Sequence, residues 1–281
     1  RSEKELLAEA LRVAAGADVI VAALGESSEY SGESSSRTIL TLPETQRRLL
    51  EALLATGKPV VMLNFSGRPT VMTWESEHVP AILNVWFGGS EAGDAIADVV
   101  FGKVSPSGKL TMTMPRSVGQ IPVYYNHFNT GRPKADDSRF EKFRTGYLDS
   151  PNAPLYPFGY GLSYTTFEYS GFALSADEMT ADGAITASVT VTNTGRYDGD
   201  EIVQLYIRDM VGSSARPVKE LKGFERISLR AGESRKVEFE ITPELLKFYN
   251  YELEFVAEPG EFLAMVGPDS DRLSVLPFTL K

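Results

Sequence analysis

The hydrophobic pattern of this sequence changes near residue 167, and this change is what most constrains the fold. Up to residue 102, helical patterns alternate with short apolar runs, whereas after residue 167 apolar and polar residues alternate one by one. Alternating helices and strands are typical of an α/β domain with a parallel sheet, and many short alternating strands are typical of a β-sandwich. The sequence therefore predicts two domains of different class.

The first region repeats a helix–strand unit. The predicted helices cover residues 3–16, 43–56, 69–76 and 90–102, and the predicted strands cover 18–24, 59–65 and 81–87. The run DVIVAAL over 18–24 is almost wholly apolar, so we expect this strand to be buried on both faces of a parallel sheet. Ligands of such sheets meet the loops after the strands, and the loop over 25–42 is the longest of these loops. It is the first place to look for a functional site.

The second region has the pattern of an antiparallel sandwich. Its predicted strands cover residues 185–193, 201–209, 219–229, 234–242 and 260–267. The intervening stretch is rich in proline, glycine and aromatic residues, which argues against a flexible linker. We therefore expect an ordered connector that packs against both domains. It could also contact a third domain or another protein. The predicted domains are 1–115, the connector 116–166, and 167–281.

Composition excludes several classes of partner. The chain of 281 residues has a net charge of −10, and no cluster of lysine and arginine suggests a nucleic-acid partner. No apolar run is long enough to predict a membrane span, so no membrane partner is expected. Cysteine is absent, and the two histidines, His78 and His127, are far apart in sequence. We therefore expect no metal site. No dinucleotide or phosphate-loop motif follows a strand, and no cofactor is expected.

Three glutamates lie in the loop GESSEYSGESSSRTILTL, residues 25–42: Glu26, Glu29 and Glu33. A carboxylic acid suits glycoside hydrolysis, because it can protonate the oxygen of the leaving group. Acidic residues in a loop are also commonly solvated surface charges. Spacing alone does not select one of the three.

The same run resembles the second domain of family 3 glycoside hydrolases. The resemblance continues through AILNVWFGGSEAGDAIADVVFGKVSPSGKLTMTMPRSVGQIPVYYNH and LYPFGYGLSYTTFEYS to the last region, and thus covers essentially the whole chain. It implies an α/β sandwich domain followed by an all-β fibronectin type III-like (immunoglobulin-like) sandwich. In that family the acid/base is a Glu followed by a short serine-containing run and an Arg, here Glu33-Ser-Ser-Ser-Arg37. The resemblance therefore selects Glu33 as the acid/base.

The resemblance also implies an activity. It predicts a retaining β-glucosidase that removes terminal non-reducing β-D-glucosyl residues from β-glucosides or short β-glucans, as in cellulose degradation. In the family, the nucleophile is an Asp in an N-terminal barrel. Its Ser-Asp-Trp-like motif is not found here, and a barrel alone takes about 250 residues. We therefore expect the chain alone to be inactive, with the barrel domain as its partner. The implied location is periplasmic or secreted, and a homodimer is left open.

Two alternatives remain at this stage: a β-xylosidase of the same family, and a non-catalytic carbohydrate-binding or assembly module. Three further residues are candidates for substrate binding or for orienting the loop. Arg37 could orient the loop or Glu33, or could be a surface arginine. Glu26 follows the first strand and could form hydrogen bonds within the loop. Trp86, at the end of the third strand, could form a wall of a sugar site or pack in the core.

Overall fold

The computed structural model describes residues 1–134 and 141–281. These residues form two compact units, residues 1–100 with 114–121, and residues 101–113 with 122–281. The first unit is α/β and the second is a β-sandwich, which confirms the predicted fold class. The proposed boundaries of the three segments stay a prediction, and residues 135–140 of the connector lie outside the described residues.

Four helices and three strands make up most of the first unit. In chain order they are α1 (Glu3–Ala15), β1 (Ile20–Gly25), α2 (Glu44–Leu54), β2 (Val60–Phe65), α3 (Thr73–His78), β3 (Ala81–Asn84) and α4 (Ala92–Val100). The strands form a parallel sheet in the order β1-β2-β3. Two short 3₁₀ helices, Ser28–Tyr30 and Val118–Gln120, lie outside these elements.

Local sequence explains where α1 and α2 begin. The Ser2 hydroxyl accepts from the backbone N–H of Glu5 and the Glu5 carboxylate accepts from the backbone N–H of Ser2, so the two residues form a capping box at the start of α1. Pro43 precedes α2, where its missing N–H costs no helical hydrogen bond. Leu50 and Leu53 form the buried face of α2, which packs against β1. Helices of this length owe most of their stability to such a face.

Burial along β1 differs from the prediction. Ile20, Ala22 and Leu24 are buried, but Val21 is 47% exposed and Ala23 is also exposed. The expectation that this strand is buried on both faces is therefore wrong in the described part of the chain. Successive side chains of a strand point to opposite faces, and only one face of β1 is covered there.

Several predicted elements of the first unit are shorter than expected, and the structure gives a local reason for two of them, α3 and β3. Helix α3 begins at Thr73 rather than at residue 69, because Val71 donates its N–H to the carbonyl of Leu40 at 2.9 Å and the chain there is held outside a helix. Strand β3 ends at Asn84 rather than at residue 87. Trp86 has a φ of +53°, a left-handed conformation that a residue other than glycine rarely adopts within a strand.

The described residues of the second unit form ten strands and one short helix. They are β4 (Phe167–Leu174), β5 (Glu178–Met179), β6 (Ile185–Asn193), β7 (Gly199–Asp209), β8 (Glu220–Leu229), β9 (Ser234–Ile241), α5 (Pro243–Leu246), β10 (Phe248–Tyr249), β11 (Phe255–Val256), β12 (Gly260–Gly267) and β13 (Ser274–Leu280). One sheet has the order β5-β13-β12-β7-β8, a second has β4-β6-β9, and β10 pairs with β11.

The core of the second unit follows the period-2 pattern. Every second residue of β6 from Ile185 onward is buried, and Phe262 and Phe278 stack at 5.3 Å within the same core. No strand was predicted at β4 or β13, or at the two-residue strands β5, β10 and β11. Strand β4 contains Gly171 at a φ of +62° next to a shift in register, and β13 contains Pro277, so both departed from the expected pattern.

Several described residues before β4 also form contacts within the second unit. Leu110 and the segment around Tyr160 exchange backbone hydrogen bonds of 2.7–2.8 Å, and Tyr125 stacks on Phe158 at 4.3 Å between centroids. Lys109 forms an ion pair of 3.0 Å with the buried Glu201. In the part of the chain that the structure describes, no helix is both long and apolar enough to cross a membrane.

Candidate active site

The loop over residues 25–42 leaves the sheet at Gly25. This residue has a φ of +135°, and a Cβ atom placed on it would lie 1.9 Å from the carbonyl oxygen of Phe65. Gln46 brackets the residue by accepting from its N–H at 2.7 Å and donating to its carbonyl at 2.8 Å. Only glycine fits here, because β1 and β2 approach each other where the loop begins.

Glu26, the next residue, is the centre of a buried ionic cluster. Its side chain is 1% exposed, and its N–H donates to the carbonyl of Phe65 at 2.8 Å. One carboxylate oxygen accepts from Arg37, and the other accepts from Arg68 Nε at 3.0 Å and from Ser66 Oγ at 3.1 Å. Two guanidinium groups and a hydroxyl thus satisfy a carboxylate that would be costly to bury alone.

Arg68 connects this cluster to the loop backbone. Its Nη2 atom donates to the carbonyl of Ser35 at 2.9 Å and also to the carbonyl of Tyr30. Tyr30 ends the 3₁₀ turn Ser28–Tyr30, and the guanidinium of Arg37 lies over its ring at 5.2 Å from the centroid. Charged groups at the edge of the sheet therefore hold the loop in place.

Glu33 lies at the tip of the loop, between Tyr30 and Ser35, the two residues whose carbonyls accept from Arg68. It is exposed, and its neighbours Gly32 and Ser34 have φ values of +118° and +60°. Ser35 closes the turn by donating its N–H to the carbonyl of Gly32 at 3.3 Å. Among the described residues, none forms a hydrogen bond or ion pair with the Glu33 carboxylate. A carboxyl group without such partners, on a turn that is held in place, can give a proton to a group that approaches the loop or take a proton from it.

The structure brings some predicted site residues together and leaves others apart. Glu26 and Arg37 are in direct contact at the base of the loop, whereas Glu33 is at its tip. Glu29 is exposed within the 3₁₀ turn. Trp86 is half-buried two residues after β3. Among the described residues, it takes no part in the hydrogen bonds of the Glu26 cluster.

Sequence reasoning missed Arg68 and Ser66 as members of this cluster. Both follow β2, at the same edge of the sheet from which Glu26 leaves β1. The signal was available, because the carboxyl ends of neighbouring parallel strands meet at one edge. A charged residue directly after β2 was thus a candidate partner for Glu26. Across residues 1–134 and 141–281, no group of three or more His, Asp or Glu residues could hold a metal ion.

Two parts of the chain match known families. Residues 2–164 match the glycosyl hydrolase family 3 C-terminal domain, and residues 201–270 match the fibronectin type III-like domain. The chain therefore belongs to glycoside hydrolase family 3.

Several relatives cover the whole chain. This chain is 51% identical over 280 residues to a periplasmic β-glucosidase of Salmonella typhimurium. The alignment covers 100% of this chain and 36% of that protein. The chain is 44% identical to a β-xylosidase of Formosa agariphila, over 99% of this chain and 38% of that one. A β-glucosidase from Listeria innocua, solved in complex with gluconolactone, aligns with a TM-score of 0.93 at 42% identity, over 100% of this chain and 38% of its own. The chain thus spans a little over a third of the length of these relatives.

Proposed function

We propose that this chain carries the acid/base residue of a retaining β-glucosidase, and that Glu33 has this role. The observation that carries the proposal is the position of Glu33, exposed at the tip of a loop whose base is fixed by the buried Glu26 cluster. The membership of the chain in family 3 supports a glycosidic substrate.

The proposed reaction has two steps. In the first, an aspartate of an N-terminal barrel attacks the anomeric carbon, the bond to the leaving oxygen breaks, and the Glu33 carboxyl gives its proton to that oxygen. In the second, the Glu33 carboxylate takes a proton from water, the water oxygen attacks the anomeric carbon, and the aspartate leaves. The aspartate and its barrel are part of the proposal, and the greater length of the relatives supports them.

The proposed substrate is a β-glucoside or a short β-glucan, cleaved at its non-reducing end. The Listeria innocua enzyme has been solved with glucose and isofagomine, and a variant of it with laminaribiose. A β-xylosidase activity is the second candidate, because a relative of that name is 44% identical over 99% of the chain. A role in cellulose degradation and a homodimer stay predictions from the sequence.

A periplasmic location is part of the proposal, supported by the name of the Salmonella typhimurium relative. The alternative class of function is a carbohydrate-binding or assembly module without catalysis. The two differ in one respect that can be measured: only the enzyme requires the carboxyl group of Glu33.

A chimeric enzyme tests the proposal. The part of the Salmonella typhimurium relative that precedes the matched region is joined to this chain, and hydrolysis of aryl β-glucosides and β-xylosides is measured. We expect activity from the chimera and none from this chain alone. Glu33→Gln should lower kcat/KM on a substrate with a poor leaving group by about 10²- to 10⁴-fold. Glu29→Gln removes an exposed carboxyl from the same loop and is the matched control.

The outcomes separate the readings. Equal activities of the Glu33→Gln and Glu29→Gln chimeras on the poor leaving group would overturn the role of Glu33. A folded but inactive chimera would favour the non-catalytic module. Faster hydrolysis of the xyloside than of the glucoside would favour the second candidate activity.

A further inference from the structure

Glu33 depends on its loop for its position. Its carboxylate has no partner among the described residues, and the turn around it contains two residues with positive φ, Gly32 and Ser34. A serine in the left-handed region costs free energy, so the turn persists only if the surrounding structure holds it. General acid catalysis requires the carboxyl to be placed to within about 0.5 Å. Some group must therefore fix the loop on both sides of Glu33.

Arg68 contacts the loop on both sides. Its Nη2 donates to the carbonyl of Tyr30, which precedes Glu33, and to that of Ser35, which follows it, the latter at 2.9 Å. One guanidinium group thus joins the two limbs of the turn. Arg37, the other arginine of the cluster, is bonded to the Glu26 carboxylate and stacks on Tyr30.

The orientation of Arg68 is itself fixed from the sheet. Its Nε donates to Glu26 Oε2 at 3.0 Å, and Glu26 is held by the edge of the sheet through its own N–H. Ser66 Oγ accepts from the backbone N–H of Arg68 at 3.1 Å. The side chain of Arg68 is 21% exposed, so little water competes for these bonds.

We propose that Arg68 is the positioning residue of the Glu33 loop. Its hydrogen bonds to the carbonyls of Tyr30 and Ser35 fix the position of the acid/base relative to the edge of the sheet. This role rests on the proposed function of Glu33. It requires arginine specifically, because a guanidinium presents several N–H groups in a planar fork. A lysine would keep the charge beside Glu26 but could not reach the same acceptors together.

The first measurement uses this chain alone and needs no activity. The N–H groups of Tyr30, Ser31 and Ser35 all donate within the loop, so their hydrogen exchange reports how often it opens. Arg68→Lys should speed exchange of these amides by about threefold or more and leave those of β2 unchanged. Arg47→Lys is the matched control, since Arg47 pairs at 2.9 Å with another buried glutamate, Glu75, elsewhere in the unit.

The second measurement uses the chimeric enzyme and substrates with different leaving groups. A good leaving group, such as dinitrophenolate, departs without protonation, whereas a poor one needs the acid. Arg68→Lys should lower kcat/KM for the poor leaving group by about 10- to 100-fold and change the dinitrophenyl substrate by less than about threefold. Ser66→Ala, which loosens the backbone of Arg68, should show the same selectivity to a smaller degree. It provides the test if Arg68→Lys does not fold.

The results separate this role from a structural one. Equal losses on both substrates would mean that Arg68 supports the fold only, and unchanged loop exchange would overturn the positioning role. If Glu33→Gln itself shows no dependence on the leaving group, the proposed function fails. The exchange measurement on the loop then still decides whether Arg68 holds it.

Discussion

Arg68 Nε lies 3.0 Å from Glu26 Oε2, although the two residues are 42 positions apart in the sequence. The parallel register of β1 and β2 explains the contact, because it pairs Gly25 with Phe65 and so starts both loops at the same level. Glu26 is the residue after Gly25, and Arg68 is the third after Phe65. The ionic cluster is therefore a consequence of how two neighbouring strands end.

Replacing the buried carboxylate of this cluster should destabilise the first unit. Glu26→Gln leaves Arg37 and Arg68 without their shared anion, and removing one partner of a buried ion pair costs about 3 kcal/mol. Both tryptophans, Trp74 and Trp86, lie in the first unit, so urea denaturation followed by tryptophan fluorescence reports this unit. Glu29→Gln at an exposed site should change the free energy of unfolding by less than about 0.5 kcal/mol. Similar effects of the two variants would show that the cluster contributes little.

Gly25→Ala should be more damaging than the same change at another glycine with positive φ. The new Cβ would lie 1.9 Å from the Phe65 carbonyl oxygen, so the strand ends must separate. Backbone strain and overpacking together should cost about 3 kcal/mol. Gly57→Ala has a φ of +73° with no atom within 4 Å of the new Cβ, and should cost about 1 kcal/mol. Tryptophan fluorescence in urea compares them, and equal costs would contradict the role of the close approach.

Glu201 should make the stability of the second unit depend on pH. Burial raises the pKa of this carboxyl, although Lys109 and the hydroxyl of Tyr169 act in the opposite direction. A carboxyl with a raised folded pKa contributes stability that is complete below its unfolded pKa, about 4.3, and is lost as pH rises through the folded value. We therefore expect the free energy of unfolding of the unsubstituted chain, minus that of Glu201→Gln, to fall over this range.

Urea denaturation at a series of pH values checks this expectation. Both tryptophans are in the first unit, so tryptophan fluorescence follows the unfolding of that unit. Far-UV circular dichroism follows both units, and the part of its transition that is absent from the fluorescence transition reports the second unit. A difference that grows as pH rises would mean that the attraction of Lys109, 3.0 Å away, outweighs burial.

Asn193 should be intolerant of a one-atom change. It is fully buried, and its Nδ2 donates to the carbonyls of Tyr197 at 2.8 Å and Leu229 at 3.1 Å. Asn193→Asp replaces this donor by an acceptor that faces two carbonyls, which should cost about 3 kcal/mol. The same far-UV transition in urea measures it. Asn126→Asp, on the surface, is the control, and a comparable effect there would point to net charge as the cause.

The sequence predicted most of the regular elements, because their signals are local. Strand β6 begins and ends where the alternation predicted, at Ile185 and Asn193. The predicted end of α1 at residue 16 lies within one residue of the observed end at Ala15. A glycine after a helical run marks the end of a helix wherever that helix packs. The selection of Glu33 from three glutamates came from the resemblance to family 3, since spacing did not distinguish them.

The tertiary structure decided what the neighbouring charges do. From the sequence, Arg37 was a candidate to orient the loop or Glu33 and Glu26 a candidate for hydrogen bonds within the loop; their pairing with each other was not predicted, and Arg68 was not considered. Their contacts depend on two distant segments that meet only when β1 and β2 pair in parallel register. The exposed face of β1 was also beyond the sequence, because an apolar strand does not reveal how many of its faces are covered. Periodicity is encoded residue by residue, whereas a contact between distant loops exists only once the sheet has formed.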